Sequence, residues 1–309
     1  MKTLITGAYG FLGKYVLNEI ALRNAEAKSV TPDCAPLYEY KTLGLNAGNN
    51  IVVDLIKETP TGLPEAELVI HLAGSCRQEN AGNMNVATTQ HLLTALDATP
   101  PHQLVYLSST EVYGREEGME LTEGTITDPQ SRLGKAKLLA EETLKKWCVD
   151  KGVTLTILRC PDIVGTGMMG NLRLMVNSIY RGTYHHIDDE TQRLSVVHAV
   201  DVAKAILDLA PKGGIYNMTD GVNPSRRELA DALAYRLNDK RVYTIRHKRA
   251  RITAKILDFV PFASFGSAEL AERYRSLTFS ADKVIAALSW QPNSVTHYLR
   301  NHVYDENSL

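Results

Sequence analysis

The first thirteen residues, Met1 to Gly13, read MKTLITGAYGFLG. Leu4 and Ile5 belong to a short apolar run, long enough for one buried strand. Gly7, Gly10 and Gly13 follow at three-residue spacing, and Tyr15, Val16, Leu17 and Ile20 then open a helical pattern. Strand, glycine turn and helix, in that order, is the setting in which a glycine triplet carries weight. Gly7 allows the tight turn, Gly10 lets backbone N–H groups approach a pyrophosphate, and Gly13 lets the helix pack close to the sheet. The helix N-terminus then turns its partial positive charge toward the anion. The spacing is GxxGxxG rather than GxGxxG, so the triplet alone also fits a tight turn before an ordinary helix. The rest of the chain has to decide.

Working outward, short apolar segments alternate with helical patterns through the first half. Strand candidates are Leu4–Ile5, Ile51–Val53, Leu68–His71, Leu104–Leu107 and Leu155–Leu158, with helices over Val86–Leu96 and Lys135–Val149. Wholly apolar strands between helices argue a parallel sheet covered on both faces, the doubly wound α/β architecture, whose ligands sit at the carboxyl ends of strands. A second strand is expected near Lys28–Thr31. Asp33 then lies at the distance of an acid that binds a ribose hydroxyl, which favours NAD over NADP; it reads equally as a turn residue after Pro32. Asp54, after a strand, suits an adenine amino group or the cap of a turn. His71-Leu72-Ala73-Gly74 ends a strand in small residues that let a dinucleotide lie flat. Leu104 to Gly114, LVYLSSTEVYG, runs an apolar strand into Ser108, Ser109, Thr110, Glu111 and Tyr113. Those are hydroxyls and a carboxylate where this architecture binds substrates, or else a polar loop with a capping serine.

A chain of 309 residues with 44% hydrophobic and 22% charged residues has the composition of a soluble globular protein. Its net charge of -1 gives no footprint for nucleic acid or an anionic membrane. The apolar start is too short for a signal peptide, and no run approaches a membrane span. Cys34, Cys76, Cys148 and Cys160 lack metal-ligand spacing and fit reduced thiols in a cytoplasm, so no metal is expected.

TGAYGFLG, Asp54, HLAG, Asn85-Val86 and SSTEVYG, in this order, resemble the extended short-chain dehydrogenase/reductases, the NAD(P)-dependent epimerases and dehydratases that mostly act on nucleotide sugars. PQSRLGKAK (129–137), LRCPDIVGTG (158–167), QRLSVVHAVDVAKAI (192–206), IYNMTDGVNPSRRELA (215–230) and SADKVIAALSWQP (280–292) extend the resemblance over nearly the whole chain. It implies a Rossmann domain over 1–163 plus 191–217 and a smaller substrate-side domain over 164–190 plus 218–309. It implies NAD or NADP held by Gly7, Tyr9, Gly10, Phe11, Leu12, Gly13, Asp33, Asp54, Leu55, Leu72, Ala73, Gly74, Asn85, Ser108 and Lys137.

In that family a Ser or Thr, a Tyr and a Lys share the acid/base work. Carried over by position, Ser109 is the Ser/Thr and Lys137 the Lys, but the Tyr position holds Leu133. A leucine exchanges no proton, and loss of a positioned acid/base group costs about 10²–10⁴-fold in rate. Three readings follow. Another group supplies the proton, with Glu111 the first candidate because dehydratases of the family carry a Glu two residues after the Ser/Thr. Alternatively, the chain binds the dinucleotide without turnover, as a sensor or partner protein. The third reading is a slipped register, against which Pro129, Ser131, Gly134 and Lys137 all speak. Two further departures concern the substrate: the span from His71 to Asn85 is short, and Asp162 replaces the family's Asn. Arg193 matches an arginine that binds substrate diphosphate, and it reads equally as an exposed arginine on a return strand.

Family members dimerise through the helices placed here near 86–98 and 135–149, which makes a homodimer one expected assembly. Finally, Arg246 to Arg251 (RHKRAR) precedes Ile256 to Phe265 (ILDFVPFASF). Basic then apolar suits a membrane surface, or a helix packing on its own core with its cations in water. Pro261 interrupts a long amphipathic helix and favours the core, so no membrane partner is expected. The expected activity is an NAD(P)-dependent epimerase, dehydratase or reductase reaction in the cytoplasm.

Overall fold

The computed structural model describes residues 1–32, 34–75, 78–237, 240–259 and 265–301, with backbone alone described at 78–81 and 83. Asp33, Cys76 and Pro261 lie outside the described residues. The elements of the first half are β1 (Lys2–Thr6), α1 (Phe11–Val30), β2 (Glu39–Gly44), β3 (Ile51–Val52), β4 (Leu68–His71), α2 (Gln78–Leu96), β5 (Gln103–Ser109), β6 (Gly118–Leu121) and α3 (Arg132–Lys151). They continue as β7 (Thr154–Cys160), β8 (Asp162–Val164), α4 (Gly170–Tyr180), β9 (His185–Ile187), β10 (Val196–His198), α5 (Ala199–Leu209) and β11 (Gly214–Asn217). The last are α6 (Arg226–Arg236), β12 (Tyr243–Ile245), α7 (His247–Leu257), α8 (Ser267–Glu272), β13 (Leu277–Phe279), α9 (Asp282–Ala287) and α10 (Val295–Asn301).

Seven strands form one sheet in the order β11-β7-β5-β4-β1-β2-β3, every neighbouring pair parallel. This is the expected doubly wound α/β sheet. Its strand order reverses between β1 and β4, which opens a crevice at their carboxyl ends. One face is closed by α1 and α5, whose Val16, Ile20, Val202 and Ile206 pack with Ile5, Ile70 and Leu158. The other is closed by α2 and α3, whose Leu92, Leu96, Ala140 and Leu144 pack on Leu4, Val69, Leu104 and Tyr106. A third core, beyond the sheet, gathers Leu172, Val176, Leu229, Leu233, Val295 and Leu299 from α4, α6 and α10. Late in the chain, Ala281, Val284 and Leu288 return to the first core.

The second strand corrects the sequence reading. Lys28–Thr31 was expected as a strand, but α1 runs unbroken through Val30 and β2 begins at Glu39. The stretch Ala21 to Lys28 is rich in helix formers, which outweigh the β-branched pair at its end. Asn24 then fixes the entry to β2, accepting from the Tyr38 N–H and donating to the Tyr38 carbonyl, both at 2.9 Å. Likewise α2 starts at Gln78, ahead of the apolar pattern at Val86.

Candidate active site

Thr6 and His71 end the two strands that flank the crevice, and they are joined. The His71 Nε2–Thr89 Oγ1 distance is 3.1 Å, and the Thr89 hydroxyl donates to the Asn85 carbonyl at 2.8 Å. Thr89 Oγ1 therefore accepts from Nε2–H, which leaves Nδ1 to accept from the Thr6 hydroxyl at 2.8 Å. Thr6 Oγ1 accepts in turn from the Ala73 N–H at 3.1 Å. This chain demands a neutral imidazole of one tautomer. Burial, with the nearby Lys137 charge, lowers its pKa to about 3.

Over this frame sits the glycine turn. Gly7 has φ +71°, open to glycine at little cost. A Cβ there would lie 2.8 Å from the Ala73 nitrogen, and one at Gly13 would lie 2.3 Å from the Gly7 carbonyl oxygen. The turn, the start of α1 and the strand end at Leu72–Gly74 are thus in mutual backbone contact. Gly10 caps α1 without a side-chain hydrogen bond, and the first turn holds no acid. An elongated anion fits such a cradle: backbone N–H groups of the first turn have no intrahelical acceptor, and no carboxylate competes.

Tyr9 bridges the turn to the loop after β2, donating to the Gly48 carbonyl at 2.7 Å. Phe11 packs edge-on against Tyr15 with ring centroids 5.7 Å apart. Leu12 and Leu55 are buried in the two opposite cores, so only their backbone can face a ligand. Asn85 holds the far wall: it accepts from the Ser75 N–H at 3.2 Å and donates to the Ser75 carbonyl at 2.9 Å. A Cβ on Gly74 would fall 2.1 Å from its Oδ1. Asp54 takes the capping alternative, accepting from the Ile56 N–H at 3.0 Å with Lys57 Nζ at 3.3 Å. Past the true end of β2 the residues are Leu45, Asn46, Ala47, Gly48, Asn49 and Asn50. That edge offers neither an acid for a ribose hydroxyl nor an arginine for a 2′-phosphate.

Leu133, Lys137 and Glu141 lie on the sheet-facing side of α3, one turn apart, and all three are buried. Lys137 Nζ donates to the Leu107 carbonyl at 2.7 Å and stands 4.9 Å from the Tyr106 ring centroid. It also borders Gly74: a Cβ there would be 3.8 Å from Nζ. The structure therefore gathers Gly7, Leu72, Ala73, Gly74, Asn85 and Lys137 around one crevice. Ser108 is directed elsewhere. Successive strand residues face opposite sides of the sheet, and its hydroxyl donates to Glu141 Oε1 at 2.6 Å. Glu141 also binds Arg159, Nε to Oε1 at 3.0 Å and Nη2 to Oε2 at 2.7 Å, in a buried cluster the sequence reading missed. Its one signal was the i+4 spacing from Lys137.

Ser109, on the other side of β5, accepts from the Glu111 N–H at 3.2 Å and so caps the short 3₁₀ turn Thr110–Tyr113. The Glu111 carboxylate accepts from the Ser131 hydroxyl, and Ser131 Oγ accepts from the Gly134 N–H at 2.9 Å, capping α3. Tyr113 is no substitute for the missing phenol. It is fully buried, donates to Asn217 Oδ1 at 2.6 Å and stacks on Phe279. Arg193 is exposed, its guanidinium donating to the Asn223 carbonyl at 2.8 Å.

Asp162 completes the site. Two residues beyond Cys160, which pairs with Ser109 across β5 and β7, it opens β8. Its carboxyl is half-buried, and desolvation raises its pKa to about 6, with Arg226 opposing and Glu111 and Glu272 adding to the rise. The sequence marked it only as a departure from the family's Asn.

A parallel doubly wound sheet with a glycine cradle at its switch point defines a dinucleotide-binding protein. The chain belongs to the NAD dependent epimerase/dehydratase family, whose model matches residues 3–219. It is 26% identical over 258 residues to a GDP-6-deoxy-D-mannose reductase of Pseudomonas aeruginosa, covering 75% of this chain and 79% of that protein. It is 25% identical over 251 residues to the N-acetyl-alpha-D-glucosaminyl-diphospho-ditrans,octacis-undecaprenol 4-epimerase of Escherichia coli O157:H7, covering 77% and 73%. The solved structure of RMD from Pseudomonas aeruginosa complexed with NADPH matches with a TM-score of 0.69 at 20% identity, over 98% of each chain. The resemblance read from the motifs is thereby shown, and so is the fold. No helix among the described residues is long and apolar enough to cross a membrane, and no metal-binding group of His, Cys, Asp and Glu occurs among them.

Proposed function

We propose that this chain is an NAD(P)-dependent epimerase, dehydratase or reductase of a nucleotide sugar or a similar carbonyl/hydroxyl substrate. In it, carboxyl groups do the work of the absent phenol. The observation that carries the reading is a desolvated Asp162 within electrostatic reach of Glu111, both close in the chain to the paired residues Ser109 and Cys160. Two interacting carboxyls in unlike surroundings are a recurrent acid/base arrangement. Glu111 is tied to Ser131, and burial pushes the Asp162 carboxyl up to about 6, closer to the range where a general base is effective.

Bound at the glycine cradle, NAD(P) supplies the hydride acceptor or donor. Gly7, Gly10 and Gly13 would offer backbone to its pyrophosphate, the backbone at Asp54 and Leu55 would lie toward the adenine, and Lys137 would lie toward the nicotinamide ribose. Ser109 orients the reacting oxygen. Asp162, with Glu111, takes the substrate hydroxyl proton or returns it. Arg193 lies toward a substrate diphosphate. The family name and the GDP-6-deoxy-D-mannose reductase relative support a nucleotide sugar as substrate. Because the edge of β2 carries neither determinant, discrimination between NADH and NADPH is expected to be weak. Pairing of two copies through α2 and α3 belongs to the same reading and is supported by the outward-facing Leu139 and Val149; so does a cytoplasmic setting.

The test begins with nicotinamide fluorescence, titrating NADH and NADPH into the purified chain; both are expected to bind. A panel of nucleoside-diphosphate sugars is then followed by nicotinamide absorbance and product analysis. Asp162→Asn and Glu111→Gln should each lower kcat by about 10²–10⁴-fold with cofactor affinity kept, and the wild-type rate should rise with pH around 6. Turnover unchanged in both variants removes the carboxyls from the mechanism. Cofactor binding with no turnover on any sugar removes the enzyme reading.

A further inference from the structure

We infer that α7 is an interfacial helix that docks this protein on an anionic lipid bilayer. The inference stands on α7 alone and not on the reaction proposed above. The apolar run from Ile256 to Phe265 was expected to pack inward; among its described residues Leu257 is half-buried and Phe265 packs on a small core, whereas Ile256 and Phe259 face water. Only Ala250 and Ala254 are buried, against Ile187 and Leu270. Ile252 is 55% exposed, Ile256 62% and Phe259, just past the helix, 89%. At 100° per residue Ile252 and Ile256 fall about 40° apart in a stripe on the side opposite the buried alanines, and Phe259 follows in the turn that ends the helix. Exposed Lys248 and Lys255 lie along one side of the stripe and exposed Arg249 along the other.

The helix HKRARITAKIL contains four lysines and arginines and no acid. The first acid after it, Asp258, is engaged: it accepts from the Ser267 N–H at 2.8 Å and from the Ser267 hydroxyl at 2.5 Å. In a chain of net charge -1, the cations are thus segregated around an apolar stripe that water does not favour. A protein groove would answer the apolar stripe alone unless it also carried acids facing the cations. An anionic bilayer satisfies both features at once, with apolar side chains entering the acyl boundary and cations remaining at the headgroups.

The experiment is cosedimentation of the full chain with vesicles of phosphatidylcholine alone and of phosphatidylcholine mixed with phosphatidylglycerol. Binding is expected to the mixed vesicles only and to be lost at high salt. Ile256→Asn should weaken it about tenfold through lost apolar burial. Lys248→Glu with Lys255→Glu should weaken it by at least about 25-fold, from about fivefold per removed cation. All of these residues are exposed, so thermal melting should be unchanged; if Ile256→Asn melts early, the charge reversal carries the test. Three results overturn the inference. The chain stays in the supernatant with phosphatidylglycerol vesicles; the charge-reversed chain cosediments as well as the wild type; or gel filtration shows a dimer that Phe259→Asn dissolves, which assigns the stripe to a second copy.

Discussion

His71 and Asp162 are both titratable groups at the ends of strands, and the fold treats them in opposite ways. Around His71, Thr6 and Thr89 complete both ring nitrogens, and burial holds the ring neutral far below neutral pH. Around Asp162 burial also disfavours charge, yet the result is a carboxyl titrating at about 6. Desolvation lowers a base and raises an acid, so one physical cause silences the first group and activates the second. The cofactor side of the crevice is built as a rigid, satisfied frame. On the proposed reading, the Asp162 carboxyl on the other side is the group that exchanges a proton with substrate. That contrast is the usual division between a residue that holds a site and one that reacts in it.

The frame can be broken most severely at Glu141. Glu141→Ala leaves Arg159 buried without its partner and is expected to cost about 3–5 kcal/mol, read as a lower urea midpoint at unchanged slope. Ser108 loses its acceptor in the same variant. Next comes pH. An unfolded chain protonates His71 below about 6.5, whereas the folded chain waits until about 3. The contribution is therefore complete above pH 6.5 and is lost as pH falls through that window, by about 1.4 kcal/mol per pH unit. His71→Gln should flatten the urea midpoint against pH; an unchanged curve would deny that the ring is neutral. Gly13→Ala is smaller in stability, about 1–3 kcal/mol from overpacking against the Gly7 carbonyl, but it moves the cradle, so NADH and NADPH affinity should fall together. Smallest and opposite in sign is Asp162→Asn. The folded pKa is above the unfolded one, so the native state is penalised as pH rises past about 4 toward 6. The amide removes that penalty and should stabilise the protein at pH 7 by about 1 kcal/mol, since solvent reaching the half-buried carboxyl screens most of the roughly 3 kcal/mol that the full window implies. The expected readout is a rise in Tm accompanied by loss of turnover. A fall in Tm would show that the carboxylate is structural, and the contrast with His71 would close.

Much of the frame was legible because it depends on neighbours in sequence. Gly7, Gly10 and Gly13 are set by a turn that spans seven residues, and HLAG ends its strand with the small residues that turn packs against. The first apolar strands announced themselves by composition. The edge at β2 did not, because α1 outran its apolar pattern and the strand after it is half exposed. The pair Ser108-Ser109 was legible as hydroxyls but not as two roles, since strand alternation sends one to the cleft side and the other to Glu141. For α7, a basic and apolar composition was visible, while the face that turns to water was not.

The sequence by itself determined the doubly wound class, the glycine cradle, the retained Ser109 and Lys137, and the loss of the phenol at Leu133. These are matters of residue type and short spacing, which local backbone chemistry fixes. Only the tertiary structure decided that Asp54 caps a turn, that Ser108 donates to a buried ion pair, that burial pushes Asp162 up to about 6 and that the isoleucines of α7 face outward. Each of those depends on which distant side chains and how much water surround a group, and that surrounding is created only when elements far apart in the chain pack together.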